Sequence, residues 1–289
     1  MASDDVVACL LALAAGEPER AERLARAAAA DPSSRVGPHL ARLLAGERVD
    51  VWGGAAAFER FIDGGGNVAL YAASLDALAA AHRAEAPASV VDLGCGDGRL
   101  SAAAVHPGLR RLDLVDPSAE RLAAATGRLV APGQAVEVTT HEATAAGFLA
   151  GNPDATWDAA QSTFALLAMP PGERREVLRT MARRTRRLLV VEFDVPAFAD
   201  RSEAHARYAA ERYEAGVAEY EGDDLVIDGF LMPVLVAQFE AGARRATWEQ
   251  PVAASVAELA EAGFGHVEHR RIAPYWWAPA HLIDARGVS

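Results

Sequence analysis

The period of the hydrophobic positions changes along the chain. As far as about residue 84 they recur at helical spacing, with Val6, Val7, Leu10 and Leu11 as the first stripe. Ser3 offers a cap for that helix, and Asp4 and Asp5 suit its positive end. Gly16 closes it, Pro18 opens a second, and Asp31-Pro32-Ser33-Ser34 is a break. Short helices are expected near Pro38–Ala45 and over Ala55–Ile62. Gly64-Gly65-Gly66 then reads as a flexible link, with Asn67 capping a helix over Val68–His82 that aligns Val68, Tyr71, Leu75 and Leu78.

From Pro87 short β-branched runs alternate with helical stretches. Strands are predicted at Ser89–Leu93, Arg111–Val115, Val136–Thr140, Trp157–Thr163 and Leu188–Phe193. Helices are predicted at about Arg99–Val105, Ser118–Leu129 and Pro171–Thr185. This alternation predicts a parallel sheet with helices on both faces. After Pro196 two helical stretches interrupt it, 201–222 and Asp228–Ala241, the second broken near Pro233. Helix Val252–Ala262 and strands His266–Ile272 and Ala280–Ala285 close the chain. The expected organisation is a helical cap over 1–84 and an α/β domain over 85–289 with a helical lid inserted at about 197–250.

Charge and composition narrow the chemistry. Forty acids against 28 bases give a net charge of −12, and every base is arginine. Without lysine there is no Schiff-base chemistry and no Walker phosphate loop. A charge of this sign opposes a polyanionic partner, so nucleic acid is not expected. Cys9 and Cys95 are too few for a disulfide framework or a zinc cluster, and no His or Cys spacing argues for a metal. The longest apolar run, Val6–Ala15, is too short to span a bilayer and lacks the basic flank of a secretory signal. A cytoplasmic protein without a membrane partner is the expectation.

The first strand runs into Asp92-Leu93-Gly94-Cys95-Gly96-Asp97-Gly98. Glycines at this spacing allow a tight turn and let a ligand approach bare backbone. A dinucleotide fingerprint would want glycine at position 99, which is Arg99. Asp92 beside the loop is unfavourable for a pyrophosphate and favourable for an ammonium group. The second strand ends at Asp116, where a carboxylate can accept from both hydroxyls of a ribose.

Asp92 to Gly98 followed by Leu114-Val115-Asp116 resembles the class I S-adenosylmethionine-dependent methyltransferases. The resemblance covers roughly residues 87–289. It implies a Rossmann-like seven-stranded sheet whose last strand is antiparallel, with S-adenosylmethionine over the strand ends and S-adenosylhomocysteine as product. It implies that Gly94, Cys95, Gly96 and Gly98 lie under the cofactor. Asp92 would hold its amino group, Asp116 and Pro117 its ribose, and Glu142 and Ala143 its adenine. Gln161 and Ser162 would face its methionine part, and Tyr71 would touch it from the preceding helix. The tail from Val252 onward matches the family's closing pattern.

In such a sheet the ligand lies outside the carboxyl ends of the strands. Arg110-Arg111 and Arg183, Arg184, Arg186 and Arg187 precede strands and fall at the opposite edge. Phe164, Glu192 and the loop Tyr275-Trp276-Trp277 fall on the ligand side. The inserted helix aligns His205, Tyr208 and Arg212 on one face. The candidate substrate contacts are Phe164, Tyr208, Arg212, Tyr275, Trp276 and Trp277. The candidate bases are His205, His281 and Glu192. The expected activity is O- or C-methylation of an aromatic, phenolic or α-keto acid small molecule, in the manner of bacterial specialised metabolism, by a homodimer. Two rivals stay open: an S-adenosylmethionine-binding pseudo-methyltransferase, and a nicotinamide-dependent oxidoreductase, which Arg99 disfavours.

Overall fold

The computed structural model describes residues 3–46, 55–130 and 136–287. In chain order the helices α1 (Asp4–Ala14), α2 (Pro18–Ala29), α3 (Val36–Leu44), α4 (Ala55–Ile62) and α5 (Gly65–Glu85) come first. Strand β1 (Ser89–Leu93), β2 (Arg111–Asp116), α6 (Ala119–Leu129), β3 (Glu137–Glu142) and α7 (Ala145–Gly151) follow. Then come β4 (Trp157–Thr163), α8 (Pro171–Arg184), β5 (Thr185–Phe193), α9 (Glu203–Glu219), α10 (Asp224–Val226) and α11 (Met232–Phe239). Helix α12 (Val252–Ala262) and strands β6 (Phe264–Ala273) and β7 (Ala280–Gly287) end the chain.

The strands form one seven-stranded sheet in the order β3-β2-β1-β4-β5-β7-β6. Strands β1 to β5 are parallel, and β7 runs antiparallel to both β5 and β6. This is the expected Rossmann-like sheet. Side chains alternate between its faces with period two. Val91, Leu93, Ala160, Leu188, Val190 and Ile283 face α7, α8 and α12. Val90, Leu112, Leu114 and Ala159 face α6. Leu189, Val191 and Leu282 pack with Leu78 and Ala77 of α5. Across β5 and β7 the buried Arg187 forks onto Asp284, at 2.8 and 2.6 Å, in the bidentate geometry that suits a guanidinium.

The chain divides into two compact units. The larger holds residues 70–196, 247–274 and 278–289, and therefore the whole sheet. The smaller holds residues 1–69, 197–246 and 275–277. The first helices therefore share a unit with the inserted helices, and α5 belongs to the larger unit from Leu70 onward. Within the smaller unit α1 packs on α2, α9 and α11, and α3 packs on α2, α9 and α11. Its core includes Val6, Leu10, Leu40, Val226, Leu235 and Phe239. Among the described residues no helix is long and apolar enough to cross a membrane.

Several elements depart from their predicted bounds. Helix Arg99–Val105 is only a 3-10 turn over Ser101–Ala104, because the Asp97 carboxylate takes the Arg99 amide at 3.1 Å and competes with helix bonding. Helix α7 was not predicted; Thr144 caps it by accepting from the Gly147 amide. Pro233 does not break its helix. A π turn over Ile227–Leu231 widens the backbone just before it, which relieves the proline ring and its missing donor. Helix α5 starts at Gly65 rather than after Asn67, and the glycine run serves close packing rather than a loose link. A Cβ at Gly65 would lie 2.7 Å from the Tyr220 ring.

Gly98 is tied to the fold by both conformation and space. Its φ is +76°, and an added Cβ would lie 2.8 Å from Cβ of Ala125 on α6. Gly98→Ala should therefore cost about 2–3 kcal/mol, from left-handed strain plus the displaced helix. Urea unfolding measures this, and an unchanged midpoint would show that α6 yields freely.

Candidate active site

Strands β1 and β4 are neighbours, but the chain leaves β1 toward β2 and leaves β4 toward β5. Their carboxyl ends therefore border the crevice of a topological switch point, the usual ligand position in an open α/β sheet. The glycine loop occupies it. The amides of Gly94 and Cys95 donate to Val115 O at 2.8 and 3.1 Å, which turns the loop back over β2. Gly94 has φ +78°, and a Cβ there would strike Cβ of Ala165 at 2.4 Å. A Cβ on Gly96 would meet nothing within 4 Å, so its backbone borders open space.

Asp116 is buried at the end of β2. Its Oδ2 accepts from the Gly96 amide at 2.9 Å and its Oδ1 from the Ser118 amide at 2.9 Å. Each oxygen retains a lone pair for a further donor. Glu142 ends β3 in register with Asp116 and is exposed, as is Pro117, and the Ala143 amide donates to Asp116 O at 3.2 Å. Cys95 is buried, and burial pushes its thiol well above the usual range, so it is no nucleophile.

Asp92 is 2% exposed and lies in register with Gln161 across β1 and β4. Its Oδ2 accepts from Ser101 Oγ at 2.6 Å and from Gln161 Nε2 at 2.7 Å. Its Oδ1 is buried without a hydrogen-bond partner. Burial raises its carboxyl to about 6 against these two stabilising bonds. Gln161 Oε1 meets Nε2 of His82 at 2.8 Å, and Ser162 Oγ donates to Leu93 O at 2.9 Å. Ahead of this group lies an aromatic one. Phe164, at φ +50°, stacks on Phe193 at 4.7 Å and lies 6.1 Å from Tyr71. The Arg99 guanidinium covers the Tyr71 ring at 5.4 Å and pairs with Asp97 at 2.8 Å.

Residues 90–187 match the family model of a methyltransferase domain. The match runs from β1 to the start of β5, so this part of the chain resembles a methyltransferase domain. The fold is that of magnesium protoporphyrin IX methyltransferase from Synechocystis, solved with bound SAH: TM-score 0.54, 15% identity, 81% of this chain against 94% of that one. The same enzyme with bound SAM aligns at TM-score 0.51, 15% identity, 80% of this chain and 90% of that one. The methyltransferase domain of bacterial CtHen1-C aligns at TM-score 0.50, 15% identity, covering 74% of this chain and 97% of that one. No curated protein matches the chain.

The larger unit thus brings Asp92, the glycine loop, Asp116, Glu142, Gln161, Ser162, Tyr71 and Phe164 to one end of one sheet. Three residues of this end were missed by sequence reasoning: His82, Ser101 and Phe193. Only the alternation of β5, which puts Phe193 on the face of Val191, signalled any of them. Arg99 was noticed only for not being glycine.

The candidate bases lie elsewhere. Glu192 and His281 are cross-strand partners on β5 and β7, on the face covered by α8 and α12. Glu192 is buried and accepts from the Leu167 amide at 3.1 Å. It lines a cavity with Arg174, Trp248, Gln250 and Glu258. His281 Nε2 is 4.0 Å from Asp194, and its Nδ1 is 3.2 Å from Nδ1 of His269. Burial lowers its pKa, with Asp194 opposing, so the neutral form prevails at pH 7.

In the smaller unit the expected substrate contacts are engaged with one another. Trp276 and Trp277 are buried and set edge-on to Tyr213. Tyr208 donates to Trp277 O at 2.7 Å, and the exposed Arg212 covers the Tyr208 ring at 5.3 Å. Tyr275 donates to Oδ1 of Asn67, whose amide nitrogen reaches Phe61 O and the Tyr220 hydroxyl. His205 lies between Phe198 and Phe239, and its Nδ1 accepts from the Arg201 amide at 3.2 Å. Burial lowers its pKa.

Several of the arginines set at the amino ends of the strands are held within the chain. Arg184 donates to Leu149 O and Asn152 O, Arg186 pairs with Asp158, and Arg111 donates to Thr156 O. Among the described residues one cluster of metal-ligating types, His39, Asp224 and Asp228, has its ligand atoms within 4.8 Å of one another. Arg42 sits in it, 2.6 Å from Asp228 and 2.7 Å from His39.

Burial raises the Glu192 carboxyl from 4.5 to about 8, with the Leu167 amide opposing. The native state therefore holds this proton more tightly than the unfolded chain. Stability from this group is complete below 4.5 and is lost as pH rises through 8. The loss amounts to a few kcal/mol. Glu192→Gln keeps an acceptor for Leu167 and should remove that slope. It should be the more stable protein at pH 9 and lose its advantage at pH 5, as read by urea unfolding. An equal difference at both pH values would contradict the assignment.

Proposed function

We propose that this protein transfers the methyl group of S-adenosylmethionine to a small-molecule acceptor and releases S-adenosylhomocysteine. The observation that carries this reading is the pair of buried carboxylates flanking a bare-backbone loop. Asp92 has a buried, unpartnered oxygen, and Asp116 is pinned by two amides with lone pairs to spare. An ammonium group satisfies the first, and ribose hydroxyls satisfy the second. A pyrophosphate would bring negative charge against Asp92, which argues against a dinucleotide.

The remaining roles follow from position. The backbone of Gly94, Cys95, Gly96 and Gly98 lies beneath the donor, Pro117 and Asp116 beside its ribose, and Glu142 and Ala143 beside its adenine. Gln161 and Ser162 hold the loop's far wall. When bound, S-adenosylmethionine supplies a methyl carbon already activated by its sulfonium. The chain is left to align the partners and exclude water, which contributes several kcal/mol. Tyr71, Phe164 and Phe193 offer aromatic faces to a flat apolar acceptor, such as a phenol or the enol of an α-keto acid.

Two measurements test the reading. Asp116→Ala should weaken S-adenosylhomocysteine binding by about 1.5–3 kcal/mol, the scale of hydrogen bonds to a charged group. Unchanged affinity by calorimetry would remove the ribose assignment. Because Asp92 is raised to about 6, the ionised form that holds an ammonium gains population with rising pH. Wild-type affinity should rise about tenfold from pH 5 to 7, and Asp92→Asn should flatten that rise. S-adenosylhomocysteine release is then assayed over phenolic and α-keto acid acceptors. Tight binding without release from any acceptor would make the chain a binding protein.

A further inference from the structure

His82 is a buried imidazole near the end of α5, 1% exposed, and no feature of the glycine loop motif calls for it. It packs in the last turn of a helix whose buried neighbours Ala77 and Leu78 are apolar. Packing alone would favour an aliphatic side chain there, because His82 Nδ1 is buried with no partner. The other nitrogen explains its presence.

The orientation of Gln161 is settled by its surroundings. One end of its amide faces Asp92 Oδ2 at 2.7 Å and Leu100 O at 3.3 Å, both acceptors. That end must be the NH2 group, so the other end is the oxygen, 2.8 Å from His82 Nε2. His82 must therefore carry its proton on Nε2. Burial, and the neighbouring Arg187, keep the ring neutral. Together with Ser101, Gln161 loads both hydrogen bonds onto Oδ2 of Asp92 and leaves Oδ1 bare.

We infer that His82 is a positioning residue for the donor's amino-acid end: through Gln161 it fixes which oxygen of Asp92 is left to receive an ammonium group. The chain of contacts is His82 Nε2–H to Gln161 Oε1, Gln161 Nε2–H to Asp92 Oδ2, and Asp92 Oδ1 to the ligand. Asp92 and Leu100 set which end of the Gln161 amide is the NH2 group, and His82 anchors the other end: without its donor the Gln161 oxygen is buried with no partner, and the amide is no longer held against Asp92 Oδ2 from both sides. This rests on the reading of Asp92 as the ammonium site.

The test compares two ligands that share a nucleoside and a sulfur atom. S-adenosylhomocysteine carries the ammonium group, and 5′-methylthioadenosine lacks it. In the full chain His82→Leu should weaken S-adenosylhomocysteine at least tenfold and leave 5′-methylthioadenosine within twofold. His82→Gln restores an N–H donor and should bring S-adenosylhomocysteine back to within threefold of wild type. Gln161→Leu should show the same selective loss, and the double variant no further loss, since the two act as one unit. That pair keeps the proposal testable should His82→Leu fold poorly. Equal losses for both ligands, unchanged S-adenosylhomocysteine affinity, or no rescue by glutamine would overturn it. Wild-type protein that binds both ligands equally would overturn the Asp92 reading first, and wild-type protein that binds neither would overturn the cofactor reading itself.

Discussion

Two strands that lie side by side and send the chain in opposite directions leave a gap between their crossover connections. In this protein that gap falls between β1 and β4, and the polar groups of the site border it. The loop after β1 can close over β2 only because Gly94 and Cys95 donate to Val115 and Gly96 donates to Asp116. The same bonds hold the Asp116 carboxylate in place. Register does the rest: Asp92 sits opposite Gln161 on the adjoining strand, so the acid of the loop and the amide of β4 must meet.

The domain carries two buried acids whose burial opposes their ionisation, on opposite faces of the sheet. Asp92 is offset by two donors on one oxygen, and Glu192 by little more than the Leu167 amide. Such groups reduce the stability of the folded chain and are common where chemistry needs a perturbed acid. For Asp92 the bare oxygen fits the cationic ligand proposed above. Glu192 faces a separate cavity and the Arg174–Glu258 pair, and its surroundings are those of a proton-holding structural group. Each guanidinium nitrogen of Arg174, itself 4% exposed, has a partner, in Glu258, Trp248 and Gln250.

The smaller unit is assembled from chain segments far apart in sequence. The first helices lie with α9 and α11, and Glu214 of α9 accepts from Ser34 and from the Arg35 amide at 2.7 Å. Tyr220 closes another junction by donating to Phe61 O and Gly64 O. The Gly64–Gly66 run is the sequence trace of that junction. Its missing side chains make room for the Tyr220 ring and let the Gly66 amide reach Glu219. The buried pair Trp276 and Trp277 and their tyrosine partners belong to the same network.

Much of the larger unit was legible from sequence because its signals are local. Alternating hydrophobic runs marked all seven strands, and the spacing of Gly94, Gly96, Gly98 and Asp116 marked the loop and the acid that ends β2. A glycine at positive φ and a carboxylate ending a strand leave a trace within a few residues of themselves. His82 and Ser101 left none, and Phe193 only the alternation of its strand. Each acts through a partner brought near by the fold: His82 reaches Gln161 from another element, and Ser101 reaches Asp92 across a 3-10 turn predicted as helix. The division into units was also illegible, since nothing in 1–69 announces that 197–246 will cover it. Local periodicity is written in neighbouring residues. Hydrogen-bond partners, buried orphan atoms and unit boundaries are decided only when distant segments are packed together and water is removed from between them.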